Sequence, residues 1–323
     1  MKAIRIHQFG PTEDVLQYEE VPTPAPGAGE LLVKVEAAAL NRADLGLRRG
    51  TYRVDPKDLP LIPGREFAGK IIALGSDVEG FKTGQRVVAC PGKGGYAEYA
   101  VTKASWARPV PDGVDPGVAA AIPTVFLTAW FALVEDGKIK SADQLLVQAG
   151  SSGVGTAAIQ IAKYLGARVF TTGGSEEKCR RLLQLGADGA VNYSAKDFRQ
   201  EVLRLSGGRG VDVVLEMIGG EVYTKSLDVL APGGRLVSIG GAVGPIPDPP
   251  PALAEGRKAT RFSITNYLNG RPEAFYQLDI FFDLVRQKKL SVVIDRTFPL
   301  AEARAAQRYL EGRDHFGKIL LTM

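Results

Sequence analysis

The chain has 323 residues, 45% of them apolar and 24% charged, which predicts two globular domains with ample cores and excludes a disordered or disulfide-stapled chain. Its 40 basic and 36 acidic residues leave a net charge of +4, small and dispersed, with no basic run interleaved with aromatics, so dedicated nucleic-acid binding is not expected. Two distant cysteines, Cys90 and Cys179, no run near the roughly 20 apolar residues of a membrane helix, and no apolar core in the opening "MKAIRIHQFGPTEDVL" predict a cytoplasmic protein without membrane attachment.

Residues 1–123 read as β-rich. The stretches "ELLVKVEAAAL" (30–40), "FAGKIIALG" (67–75), "GQRVVAC" and "GYAEYAVT" are apolar or alternating runs bounded by Gly and Pro, the punctuation of short strands in a barrel or sandwich. From about residue 124 strand and helix alternate. "QLLVQAG" (144–150) is a strand and "VGTAAIQIAKYLGA" (154–167) an amphipathic helix. "RVFTTG", "GAVNY", "VDVVLEMIGG" and "RLVSIGG" are strands, separated by helices in "SEEKCRRLLQLGA", "AKDFRQEVLRLSGG" and "EVYTKSLDVLAPGG". Parallel strands need such crossovers, so 124–265 is predicted to be a doubly wound parallel sheet. "GAVGPIPDPPP" (241–251) is a Pro-rich loop. "RFSITNYL" (261–268) reads as a returning strand and "EAFYQLDIFFDLVRQKKL" (273–290) as one long helix. Residues 266–323 then link back to the first domain through strand, helix and strand.

The informative run is "AGSSGVG" (149–155), which follows an apolar strand and opens a helix. In that setting Gly150, Ser151, Ser152, Gly153, Val154 and Gly155 form a dinucleotide-binding turn. Gly150 is expected to permit the tight turn and Gly155 to let helix and strand pack closely. Ser152 stands where a middle glycine is usual. The helix N-terminus offers free N–H groups and a positive dipole end to a pyrophosphate. Val154 sits where a G-x-S-x-G elbow needs glycine, so a nucleophilic serine is not predicted. NAD sites carry a carboxylate about 20 residues on, against the ribose 2′-hydroxyl. Here Gly173 and Gly174 occupy that place, followed by Ser175 and Lys178. A lysine suits a 2′-phosphate, which favours NADPH. The alternative reading makes Glu176, Glu177 and Lys178 only the polar first turn of a helix.

With these residues in view, the sequence resembles the zinc-free quinone oxidoreductases, related to zeta-crystallin, of the medium-chain dehydrogenase/reductase superfamily. The resemblance runs along the whole chain, in "AALNRADLGLRRGTY" (38–52), "PGREFAGKIIALG" (63–75), "AAAIPTVFLTAWFAL" (119–133), "AGSSGVGTAAIQIAK" (149–163), "LGADGAVNY" (185–193) and "FGKILL" (316–321). "ALNRADL" with the following "GTY" looks most like the branch of the tumour-suppressor-inducible quinone reductase. The resemblance implies an α/β fold: a GroES-like β-rich catalytic domain plus a Rossmann doubly wound parallel-sheet domain, with a cleft between them. It also implies a homodimer or homotetramer formed through the Rossmann domain.

Zinc-dependent members of the superfamily place a His where Arg65 stands, a catalytic Cys near Asn41 or Arg42, and a four-Cys loop. None of these is present, and His7 and His315 have no partner at metal-ligand spacing, so no metal is expected. Reduction of a simple ketone leaves an alkoxide that calls for a Lewis acid. Reduction of a quinone leaves a delocalised phenolate, and of an enone or enoyl thioester an enolate, for which hydrogen-bond donors suffice. The expected substrate is therefore a quinone or, alternatively, an activated alkene such as an enone, enal or enoyl thioester. An RNA-binding or structural role, said of some zeta-crystallin relatives, is a further alternative. By resemblance Asn41 sits near the nicotinamide, Asp44 braces its loop, and Tyr52 lines the substrate cleft, where its hydroxyl meets an incipient oxyanion or its ring packs under the cofactor. Thr128 is implied near the nicotinamide amide, and Tyr193 with Lys178 near the 2′-phosphate. Gly46 replaces a second family aromatic, which predicts a roomier cleft.

Overall fold

A computed structural model describes all 323 residues. The chain divides into two compact units. One comprises Met1–Thr124, Arg271–Lys288 and Val292–Met323; the other comprises Val125–Gly270 and Lys289–Ser291.

The first unit is built on a seven-stranded sheet. Strands 294–299, 318–322, 30–39, 66–74, 86–89 and 107–109 lie side by side in that order, and strand 99–103 also pairs with 30–39. Strands 294–299 and 318–322 run parallel and the other pairs antiparallel. The ten-residue strand Glu30–Ala39 is the hub, since it carries three neighbours. Its alternating apolar side chains Leu31, Val33 and Val35 enter one core with Ile71, Val87, Ile319 and Leu321. Burial of such a contiguous set is the main stabilising term for the unit.

The second unit holds six parallel strands: 144–147, 168–173, 189–192, 211–216, 230–238 and 258–261. Ranked by sequence, their order across the sheet is third, second, first, fourth, fifth, sixth. This is the doubly wound arrangement, whose topological switch falls between the first and fourth strands. Helices Gly153–Tyr164 and Glu176–Gln184 end before Gly166 and Gly186, whose φ values of +84° and +113° form the left-handed stops that glycine accepts without strain.

Two expected elements differ. "RFSITNYL" is not a strand throughout: pairing stops at Arg261, and a helix spans Ile264–Gly270. The reason is spacing. Ile264 and Leu268, four residues apart, are both buried, and Tyr267 stacks on Phe131 at 4.5 Å, which is a helical face rather than a pleat. The stretch 273–290 also divides, into a 3-10 turn at Pro272–Tyr276 and a helix limited to Gln277–Arg286.

Candidate active site

In the β-rich unit the chain leaves strand 30–39 and enters helix Arg42–Arg48 with Asn41 at the N-cap. The Asp44 carboxylate accepts from the Asn41 main-chain N–H at 2.8 Å, the returning half of a capping box. The Asn41 side chain is engaged elsewhere. Its Nδ2 donates to Glu66 Oε1 at 2.8 Å and to the Ala39 carbonyl at 3.2 Å, and its Oδ1 accepts from Lys318 Nζ at 2.8 Å. Both amide protons are thus used within the protein.

Lys318 Nζ also donates to the Leu40 carbonyl at 2.7 Å and to Glu66 Oε1 at 2.9 Å. The other Glu66 oxygen accepts from the Thr124 N–H at 2.7 Å, at the start of helix Pro123–Phe131, where a carboxylate also suits the helix dipole. Glu66 and Lys318 are both buried. Such a pair survives burial because every proton and lone pair that matters finds a partner.

Asp44 is also buried, and Tyr96 donates its hydroxyl to Asp44 Oδ2 at 3.0 Å. Burial pushes the Asp44 carboxyl up to about 6, against the opposing pull of the Asn41 N–H, the Tyr96 hydroxyl, Lys318 and Arg65. Burial, together with the Asp44 charge, drives the Tyr96 phenol well above its ordinary range. Cys90, 3.7 Å from Thr124 Oγ1, is pushed up to about 11 mainly by burial, so it stands as a thiol and not as a nucleophilic thiolate. Buried Arg65 is in electrostatic reach of Cys90, Tyr52, Glu66 and Asp44.

Tyr52 lies half-buried in the loop after the helix. A Cβ added at Gly46 would stand 2.7 Å from Tyr52 Cβ. Tyr52 takes up the volume that a side chain at 46 would need.

In the second unit the glycine run lies after strand 144–147 and opens helix Gly153–Tyr164, at the switch point of the sheet. Ser152 is the N-cap, and its Oγ accepts from the Gly155 N–H at 3.0 Å. The left-handed residue of the turn is Ala149, with φ of 50°. Gly150 answers a different demand: a Cβ there would stand 2.0 Å from Thr171 Oγ1. At Gly155 a Cβ would meet the Ala149 carbonyl oxygen at 2.4 Å and that of Gly150 at 2.6 Å. The residues fit a dinucleotide: a side-chain-free cradle and a capped helix N-terminus. Ser151, Gly153 and Val154 fall in the same turn, and Thr128 is buried on helix Pro123–Phe131.

Ser175, Lys178 and Tyr193 come together beyond the second and third strands. Ser175 caps helix Glu176–Gln184 by accepting from the Lys178 N–H at 3.2 Å. A Cβ at Gly174 would stand 2.8 Å from the Tyr193 hydroxyl, so Gly174 lets the phenol lie against the main chain. Neither Gly173 nor Gly174 brings a carboxylate, and Glu176 is held by Asn192 Nδ2 at 2.9 Å.

No group of three or more His, Cys, Asp or Glu side chains is placed to hold a metal ion, and a buried guanidinium stands at Arg65, so a zinc ion does not fit this residue set. His7 pairs with Glu19 at 2.6 Å, and His315 is buried near the Tyr309 ring. Sequence reading missed Glu66, Lys318 and Tyr96 as site residues. The signal for the first two was a charged residue at the opening of a largely apolar strand, in "GREF" and "FGKILL".

Residues 27–112 match the family model described as alcohol dehydrogenase GroES-like domain, and residues 153–282 that described as zinc-binding dehydrogenase. The quinone oxidoreductase of Rattus norvegicus is 31% identical, with 100% of this chain and 98% of that protein covered. A 2-haloacrylate reductase of a Burkholderia species is 32% identical over 98% of this chain and 97% of its own length. A phenolphthiocerol/phthiocerol polyketide synthase protein of Mycobacterium tuberculosis is 34% identical over 96% of this chain, but the match spans only 14% of that much longer protein. Among solved structures, Escherichia coli quinone oxidoreductase complexed with NADPH superposes with a TM-score of 0.92 at 30% identity, covering both chains completely.

Proposed function

The chain belongs to the zinc-free quinone oxidoreductases of the medium-chain dehydrogenase/reductase superfamily, and from that premise we propose that it is an NADPH-dependent reductase of quinones. The observation that carries the reading is the cofactor end of the Rossmann unit. A side-chain-free cradle at Gly150 and Gly155 is joined there by Ser175, Lys178 and Tyr193, with no carboxylate at Gly173 or Gly174. An Asp at either position would repel a 2′-phosphate; a lysine attracts one.

NADPH, when bound, supplies a hydride to the acceptor. Gly150 through Gly155 would hold its pyrophosphate on the helix N-terminus, and Lys178, Ser175 and Tyr193 its 2′-phosphate, with Thr128 a candidate partner for its carboxamide. In the β-rich unit Tyr52 donates its hydroxyl proton to the oxygen on which charge develops, a role that a hydrogen-bond donor fills for a delocalised phenolate. Asn41 and Asp44 shape the turn ahead of it. Because both Asn41 amide protons are held internally, its part is to fix that turn rather than to donate to substrate.

A second reading, reduction of activated alkenes, is favoured by the full-length likeness to a 2-haloacrylate reductase. The two are separated by following NADPH oxidation with a small benzoquinone, an ortho-quinone, an enone and an enoyl thioester, each repeated with NADH. Quinone turnover with NADPH preference supports the first reading. Turnover confined to the enone or thioester replaces it with the second. A homodimer or homotetramer through the Rossmann unit completes the proposal: strand Lys258–Arg261 is the edge of its sheet, where main-chain groups stand ready for a second copy. Light scattering that gives a 34.5 kDa particle would refute that assembly.

A further inference from the structure

Glu216 is the last residue of the fourth strand of the Rossmann unit and is fully buried. Its Oε1 accepts from the Ile218 N–H at 2.6 Å and the Gly219 N–H at 2.9 Å, and its Oε2 from Ser238 Oγ at 3.3 Å. Ser238 is the last residue of the fifth strand. No Lys or Arg side chain pairs with this carboxylate, so it is a buried anion held only by main-chain donors and a hydroxyl. Such an anion is costly to keep, and none of the chemistry above uses it.

Its surroundings show what it holds. The loops after the fourth and fifth strands are locked together: the Ala242 N–H donates to the Met217 carbonyl at 3.1 Å, those of Val243 and Gly244 to Ile218 at 2.9 and 3.1 Å, and that of Gly220 to Pro245 at 2.8 Å. A Cβ at Gly219 would stand 2.1 Å from the Gly244 carbonyl oxygen. Met217, next to Glu216, accepts the Ser152 hydroxyl on its sulfur at 3.4 Å. That contact bridges the switch point, from the helix cap to the fourth strand.

The dinucleotide has only one way to lie. Its pyrophosphate belongs at the switch point, and its 2′-phosphate end goes to Ser175, Lys178 and Tyr193, beyond the second and third strands. The other half therefore extends over the ends of the fourth and fifth strands. We infer that Glu216 is a positioning residue for the nicotinamide half of NADPH: its carboxylate fixes the 217–220 loop against the 239–245 loop and so sets the surface on which the reacting ring rests. The inference rests on the dinucleotide reading above. A glutamine at 216 fills the same volume and can keep its carbonyl on the Ile218 and Gly219 N–H groups with its NH2 on Ser238 Oγ, but it removes the negative charge that strengthens these bonds.

The test compares a ligand that has only the adenosine end with one that has both halves. Calorimetric titration of 2′,5′-ADP and of NADPH is made on the wild type, Glu216→Gln and Ser238→Ala, together with quinone kcat and KM. In Glu216→Gln, NADPH binding and kcat are each expected to fall roughly tenfold, the scale on which charge-assisted hydrogen bonds exceed neutral ones, while 2′,5′-ADP binding stays within about twofold. Ser238→Ala removes a single long bond, 3.3 Å, from the same carboxylate and keeps the fold if Glu216→Gln does not; it should show the same split at a few-fold. If both ligands weaken in equal ratio in the two variants, or neither weakens, the inference is overturned and the dinucleotide reading stands. A wild type that binds neither ligand overturns both.

Discussion

Lys318 Nζ lies 2.9 Å from Glu66 Oε1, across 252 residues of sequence, and both side chains are closed off from solvent. Together they tie the ends of strands 30–39, 66–74 and 318–322 to one another and to the Thr124 main-chain N–H. Lys318→Met leaves the Glu66 charge buried without a cation, and a loss of about 3–5 kcal/mol of stability is expected. Glu66→Gln combined with Lys318→Met removes both charges and should recover most of that loss. Urea unfolding of the wild type, the single variants and the double variant checks this; a double variant no more stable than Lys318→Met would show that the pair is not coupled.

Asp44 sets a pH dependence. Its carboxyl, with an ordinary value of 3.8, is pushed up to about 6 by burial, so the folded protein holds that proton where the unfolded chain releases it. Wild-type stability from this group is greatest below pH 4 and is lost as pH rises from about 4 to 6; about 2 pKa units correspond to about 3 kcal/mol. Asp44→Asn has no proton to lose. Its stability relative to wild type should therefore improve by up to about 3 kcal/mol between pH 4 and pH 7. Parallel wild-type and variant curves over that range would contradict the assignment.

Lys178→Ala tests the cofactor end. Loss of one charge-assisted contact should weaken NADPH by about 1–3 kcal/mol and leave NADH nearly unchanged. Direct titration of both nucleotides decides the matter, and an equal loss for the two would remove Lys178 from the 2′-phosphate site.

The parts of the fold that were legible are the local ones. Strand and helix periods, and the stops at Gly166 and Gly186, are set by residues a few positions apart, so the doubly wound unit and its glycine loop could be read directly. The place of Gly150 is legible but its reason is not, because the contact that excludes a side chain there comes from Thr171, on the neighbouring strand. The stretch 261–268 is not legible as a helix because Phe262, Ile264, Tyr267 and Leu268 satisfy neither period cleanly until Phe131 supplies a partner for Tyr267. Glu66, Lys318 and Glu216 do not stand out in the sequence for one reason: a buried charge is intelligible only through the groups that satisfy it. For Lys318 those groups are more than 250 residues away.

Gly46 and Tyr52 give the most direct test of the substrate side. The helix bearing Gly46 and the loop bearing Tyr52 approach so closely that a Cβ at 46 would overlap Tyr52 Cβ at 2.7 Å. One of the two must move in Gly46→Ala. The loop is the softer, since its residues Thr51 and Arg53 are exposed, so Tyr52 is displaced. Overpacking of this kind costs about 1–3 kcal/mol. The functional consequence should be confined to the β-rich unit: quinone turnover falls, while NADPH binding, held by the other unit, does not change. Tyr52→Phe keeps the ring and removes only the hydroxyl. If that hydroxyl donates the proton, kcat should fall by about 10²-fold or more, with KM nearly unchanged. Gly46→Ala and Tyr52→Phe that both retain wild-type kcat would mean that the ring serves only to pack against the helix and that the proton comes from elsewhere. A fall in Gly46→Ala alone would assign the effect to loop position and not to the hydroxyl.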